Sequence, residues 1–78
     1  MATSNLTSDD KKFLVKLGAK IRAIRTKKGW TLEEVEEHGW GNWTHLQKIE
    51  SGKNITIVTL RKVATLYRMS LSDLLDGV

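Results

Sequence analysis

The sequence predicts an all-α domain, a compact set of five helices, and three observations predict it. Proline is absent, so no segment carries the residue that breaks a helix interior. Apolar residues recur at intervals of three and four, as on one side of a helix. Ser, Thr or Asn precedes most of these runs, where side-chain oxygens cap helix N-termini. Seventy-eight residues make one domain at most. The expected division is a flexible N-terminal segment over 1–8 and a helical domain over 9–78.

The first helix is expected from about Asp9 to Lys28, with Ser8 or Asp9 as its cap. Phe13, Leu17, Ile21 and Ile24 form its apolar stripe, and Lys27-Lys28-Gly29 closes it. Thr31-Leu32-Glu33-Glu34 has the form of a capping box, opening a short second helix to about His38. Gly39-Trp40-Gly41 interrupts the chain. Asn42 then caps a third helix, Trp43 to about Ser51, with Leu46 and Ile49 facing inward. Gly52-Lys53-Asn54 is a turn. Thr56 caps a fourth helix lined by Ile57, Leu60, Val63, Ala64 and Tyr67. Ser70 caps a last one carrying Leu71, Leu74 and Leu75. Ile55 and Val58 are β-branched and compatible with a short strand, but two capped helices explain the segment better.

Composition removes several function classes. Without cysteine there are no disulfides, thiolate metal sites or cysteine nucleophiles. The polar N-terminus is unlike a signal peptide, and no apolar run reaches the roughly 20 residues of a membrane span. The three Asn-x-Ser/Thr triplets, at Asn5, Asn42 and Asn54, therefore read as chance and as caps. A reducing cytoplasmic setting is expected, and the initial Met1 favours a complete chain. His38 and His45 stand seven apart across a turn and read as surface residues. No nucleophile elbow, paired carboxylates or phosphate loop is present. No enzyme, metal, cofactor, membrane or small-molecule effector is expected.

Net charge is +4, and its distribution says more than its sum. Eight of the 13 basic residues fall between Lys11 and Lys28, which suggests a polyanionic partner. Glu33, Glu34, Glu36 and Glu37 form an opposing acidic cluster. Two short helices joined by a glycine-bearing turn match the helix-turn-helix unit, whose second helix fits the major groove.

Several stretches resemble the Cro/CI-type (XRE) regulators. Leu17-Gly18-Ala19-Lys20-Ile21-Arg22-Ala23-Ile24-Arg25 is similar to that family's first helix. Gly29-Trp30-Thr31-Leu32-Glu33-Glu34-Val35 resembles the approach into its helix-turn-helix. Ile49-Glu50-Ser51-Gly52-Lys53 resembles the end of its recognition helix, and Leu60 through Leu75 its last two helices. The likeness runs over about residues 17 to 75 without gaps. It implies a λ-repressor-like domain of bacterial or phage type. It also implies sequence-specific binding of double-stranded DNA and transcriptional regulation, with the recognition helix at about 42–51.

The resemblance also implies residue roles. Trp43, Thr44, Gln47 and Lys48 stand where bases are read. Thr31, Asn42, Lys53, Asn54 and Thr56 stand where phosphates are held. Arg25 and Glu50 match a structural ion pair. Such modules usually read two half-sites, so a homodimer is expected. Its candidate surface is Leu71, Leu74, Leu75 and Val78, with Met69 and the off-face Leu14 and Val15. Alternatively these residues merely close the core.

The sequence departs from the family at three places. Leu32 replaces a frequent glutamine, and Glu36 a frequent alanine. Trp40 stands where the turn glycine is expected and is read as turning inward. Trp43 is expected outward, against the groove or a protein partner, or else partly buried without a role. Glu33, Glu36 and Glu37 are expected in solvent, away from a duplex. With the acidic cluster and Leu32, Trp43 also supports a second function class: a protein-interaction module, antitoxin or adaptor, on the same fold.

Overall fold

The computed structural model describes residues 5–78 and, among them, five helical elements and no strand. The first helix, α1, spans Ser8–Lys27. Its cap is Thr7, one residue ahead of the expected Ser8 or Asp9. The Thr7 hydroxyl accepts from the Asp10 amide at 3.0 Å, and the Asp10 carboxylate accepts from the Thr7 amide at 3.0 Å. Of the expected flexible segment 1–8, residues 1–4 lie outside the described residues, and Thr7 and Ser8 already belong to the helix start.

The buried face of α1 is Leu14, Leu17, Gly18, Ile21 and Arg25. This corrects the apolar stripe at its first member, because Phe13 is 46% exposed and Leu14 is buried. Spacing to Leu17 allows either residue. Leu14 stands one turn ahead of Gly18 on the packed side, whereas Phe13 is rotated about 100° from Leu14. Leu14 is therefore unavailable to an interface. Gly29 adopts φ +79°, and the Trp30 amide returns to the Arg25 carbonyl at 3.2 Å, which ends the helix.

The second element is a 3₁₀ helix, Glu33–His38, where an α-helix is expected. The Thr31 box is present: the Thr31 amide donates to Glu34 at 2.7 Å, and the Glu34 amide to the Thr31 hydroxyl at 3.2 Å. A 3₁₀ helix superposes residues three apart. Here Leu32 is half-buried, Val35 is buried, and the His38 ring stacks on Trp30 with centroids 3.6 Å apart. That spacing of three suits the tighter winding. Gly39, at φ +108°, ends the element.

Two longer helices and a single turn complete the chain. They are α2, Trp43–Glu50; α3, Ile57–Leu66; and α4, Leu71–Leu75. Asn42, Thr56 and Ser70 cap them. Leu60, Val63, Ala64 and Tyr67 are buried, but Ile57 is 66% exposed and does not join that face. The Lys20 ammonium donates to the carbonyls of Asp76 at 2.5 Å and Asp73 at 3.3 Å, fastening the end of α4 to α1.

The core gathers Leu17, Ile21, Val35, Leu46, Val63 and Leu74. Two contacts join α1 to α2. A Cβ built on Gly18 would stand 2.5 Å from the Glu50 carbonyl oxygen and 2.7 Å from that of Ile49. Only glycine permits this backbone approach. Seven residues on, Arg25 grips Glu50 with two hydrogen bonds, Nε–Oε2 at 2.7 Å and Nη2–Oε1 at 3.0 Å. Its Nη1 donates to the Trp30 carbonyl at 2.8 Å. Both side chains are buried. The hydrogen bond to Glu50 raises the Arg25 pKa against the opposing pull of burial.

Three outcomes follow for stability. Gly18→Ala should cost about 1–3 kcal/mol in chemical denaturation by forcing the helices apart, although alanine is the better helix former. Arg25→Ala should cost about 3–5 kcal/mol, because Glu50 is left buried and unpaired. Tyr67 is the sole tyrosine, so alkaline absorbance titration reads it alone. Burial first, and then the Glu50 charge, pushes its phenol up to about 12. The unfolded chain releases that proton near pH 10, so stability from this group is full below pH 10. It should fall as pH rises through about 12.

Candidate nucleic-acid interface

The turn that presents α2 is built around Trp40. Gly39 supplies a left-handed backbone, and the Trp40 side chain turns inward to 8% exposure. Its indole N–H donates to the Asn42 carbonyl at 2.9 Å. Trp40 thereby fills the space between Gly39 and Gly41 and fixes the residue that starts α2. The ring of His45 lies against it, 5.7 Å between centroids. Both histidines are exposed, and each meets a tryptophan.

Asn42 caps α2 through Oδ1, which accepts from the Thr44 amide at 2.9 Å and from the Thr44 hydroxyl at 2.5 Å. The Thr44 hydroxyl proton is thus committed to the cap, and its methyl group is the part suited to a base edge. Gln47 and Lys48 are exposed one turn further on, while Leu46 and Ile49 are buried. Helical periodicity therefore sets the two polar residues apart from the core side.

Trp43, expected outward or else partly buried, takes the partly buried placement. It is half-buried and packed against the core. Its amide donates to Glu36 Oε2 at 2.9 Å. Glu36 is therefore not simply solvated: its carboxylate closes the head of α2 beside Asn42, where the helix dipole favours negative charge. Glu33 and Glu37 are exposed. Hydrogen bonding from Thr31, its backbone amide first, holds the Glu34 carboxyl below its ordinary pKa.

The residues expected at phosphates sit at exposed helix starts and turns. Thr31 opens the 3₁₀ helix, and Asn42 opens α2. Lys53 and Asn54 follow Gly52, whose φ is +100°, and Thr56 opens α3. Asn54 Oδ1 already accepts from the Ile55 amide at 2.9 Å. Thr56 Oγ1 accepts from the Thr59 amide at 3.1 Å.

Besides Leu14, a second residue of the expected dimer surface is removed by the structure. Leu74 has no exposed surface, because it closes the core beneath α4. Leu71, Leu75 and Val78 are half-buried around it.

Sequence reasoning passed over two groups at this face. Glu36 was read as a departure from pattern and as a solvated acid, although an acid seven residues before a helix start across a tight turn is placed to cap it. Arg22 shares a shallow depression of about 240 Å³ with Leu32, Gln47 and Ser51, so α1 contributes a cation beside α2. A basic position one turn before Arg25 is the signal that pointed to it.

Among the described residues, no helix is long and apolar enough to cross a membrane. Searches of curated proteins and of solved structures each returned no match. Residues 21–74, well over half the chain, match the helix-turn-helix family. With the 3₁₀ helix, the Trp40 turn and α2 forming the motif inside that span, the chain belongs to the helix-turn-helix family, as a Cro/CI-type DNA-binding domain.

Proposed function

We propose that the domain reads duplex DNA sequence-specifically, with α2 in the major groove, and regulates transcription as a homodimer. The observation that carries this reading is the exposed face of α2. Gln47 and Lys48 stand outward on a helix whose register is fixed by the Asn42 cap and by Arg25–Glu50. A rigid, correctly registered helix is what base readout requires. Gln47 suits adenine, Lys48 guanine or a phosphate, and the Thr44 methyl a thymine methyl. What Trp43 leaves exposed adds apolar contact. Thr31, Asn42, Lys53, Asn54 and Thr56 hold the backbone on either side. Leu71, Leu75 and Val78 form the remaining self-association surface, and pairing would offset the modest affinity of one small domain.

A second reading is favoured by one contact. Glu36 sets a carboxylate at the head of α2, where a phosphate would otherwise approach. That suits a partner protein, as in an antitoxin or adaptor, with DNA secondary.

Fluorescence anisotropy with duplex DNA separates the two. A DNA reader binds at low salt, with affinity falling steeply as salt rises. Absence of binding at low salt would reject it in favour of the partner protein. Selection from a random duplex pool should return a two-fold symmetric site with half-sites about one helical turn apart. Against that site, Gln47→Ala should relax preference at one base position by about 1–3 kcal/mol. Lys53→Ala should weaken all sequences alike. Identical effects of the two changes would show that the reading face is mis-assigned.

A further inference from the structure

The first part of α1 lies outside the family match, which begins at Ile21. Residues 8–20 make about three and a half helical turns, and the domain does not need all of them for its core. Leu14, Leu17 and Gly18 face inward there, while Lys11, Lys12 and Lys16 are exposed.

Lys11, Lys12, Val15 and Lys16 border one shallow depression. Val15 also touches the turn after α2: a Cβ on Gly52 would stand 3.1 Å from its Cγ2 and 3.4 Å from its Cα. Arg22 continues the same side of α1 two turns on, beside Gln47 and Ser51. Lys11, Val15 and Arg22 therefore follow one side of α1, next to the recognition helix and to Lys53 beyond its end, while Lys12 and Lys16 lie roughly 80–120° further round.

No acid neutralises this line. None of the four cations forms an ion pair among the described residues. The Asp10 carboxylate is engaged in the Thr7 cap, and Asp9 pairs with none of the lysines. Glu50, which borders the same depression as Arg22, is taken by Arg25. Unpaired cations along one side of a rigid helix set up a local positive potential that draws a polyanion.

We infer that Lys11 and Arg22 form a phosphate-binding rail that follows the duplex backbone beside the groove occupied by α2. The inference rests on α2 being the groove helix. Charge complementarity and unbroken continuity with the face of Gln47 identify the occupant as DNA backbone. The rail reads no bases. It extends the footprint beyond the base-reading helix and supplies the positive charge that the acidic 3₁₀ helix withholds.

The test is the salt dependence of duplex binding by the full chain. Each lost phosphate contact lowers the slope of log affinity against log salt by about one. The double variant Lys11→Gln/Arg22→Gln should reduce the slope by about two. Preference among sequences should not change. Lys16→Gln and Lys27→Gln, on the same helix but turned away from that side, should each leave the slope as it was. Replacing Lys11 with arginine and Arg22 with lysine should keep it as well, which separates charge from packing. If wild-type protein binds duplex and the double variant keeps the full slope, the rail is wrong while the groove helix stands. If wild-type protein binds no duplex at low salt, the groove reading falls and the rail falls with it.

Discussion

The domain is organised by the approach of α1 to the end of α2. Gly18 brings the α1 backbone against the carbonyls of Ile49 and Glu50, closer than any side chain would allow. Arg25 then holds the Glu50 side chain from the same face of α1, with both groups out of solvent. One contact sets the distance between the helices and the other sets their rotation. Burying two charges is costly in itself, so the pair serves geometry more than net stability. What it fixes is the direction in which Gln47 and Lys48 leave the domain.

The electrostatics of the face are divided between elements. The 3₁₀ helix is acidic, and Glu36 brings part of that charge to the head of α2. The opposite flank of α2 is lined by cations from α1 and by Lys53. A polyanion approaching this surface meets repulsion on one side and attraction on the other. That asymmetry orients it before any specific contact forms.

Much of this was legible in the sequence. Short-range signals carried furthest: Thr31, Asn42, Thr56 and Ser70 cap as expected, because a cap depends only on residues two or three positions away. The inward turn of Trp40 followed from the two glycines beside it. Misjudgements arose where a distant element decides. Phe13 and Leu14 both satisfy helical spacing, and only the docking of α1 on α2 selects Leu14. The winding of residues 33–38 depends on Trp30 being present for His38 to stack upon. Glycine inside a helix costs about 1 kcal/mol relative to alanine, which marks it as a packing position. Gly18 carried that mark, but its partner carbonyls lie some thirty residues away in the chain.

The attachment of α4 has a consequence in time. A single turn of helix has no stability of its own. This one persists through Leu74 beneath it and through Lys20, whose ammonium satisfies its terminal carbonyls. The joint between α1 and α2 is fastened by close backbone packing and a double hydrogen bond. The two ends of the molecule should therefore open at different rates, with α4 detaching far more often than the α1–α2 joint separates. Its half-buried leucines would be uncovered in brief, frequent events while the orientation of α2 persists throughout.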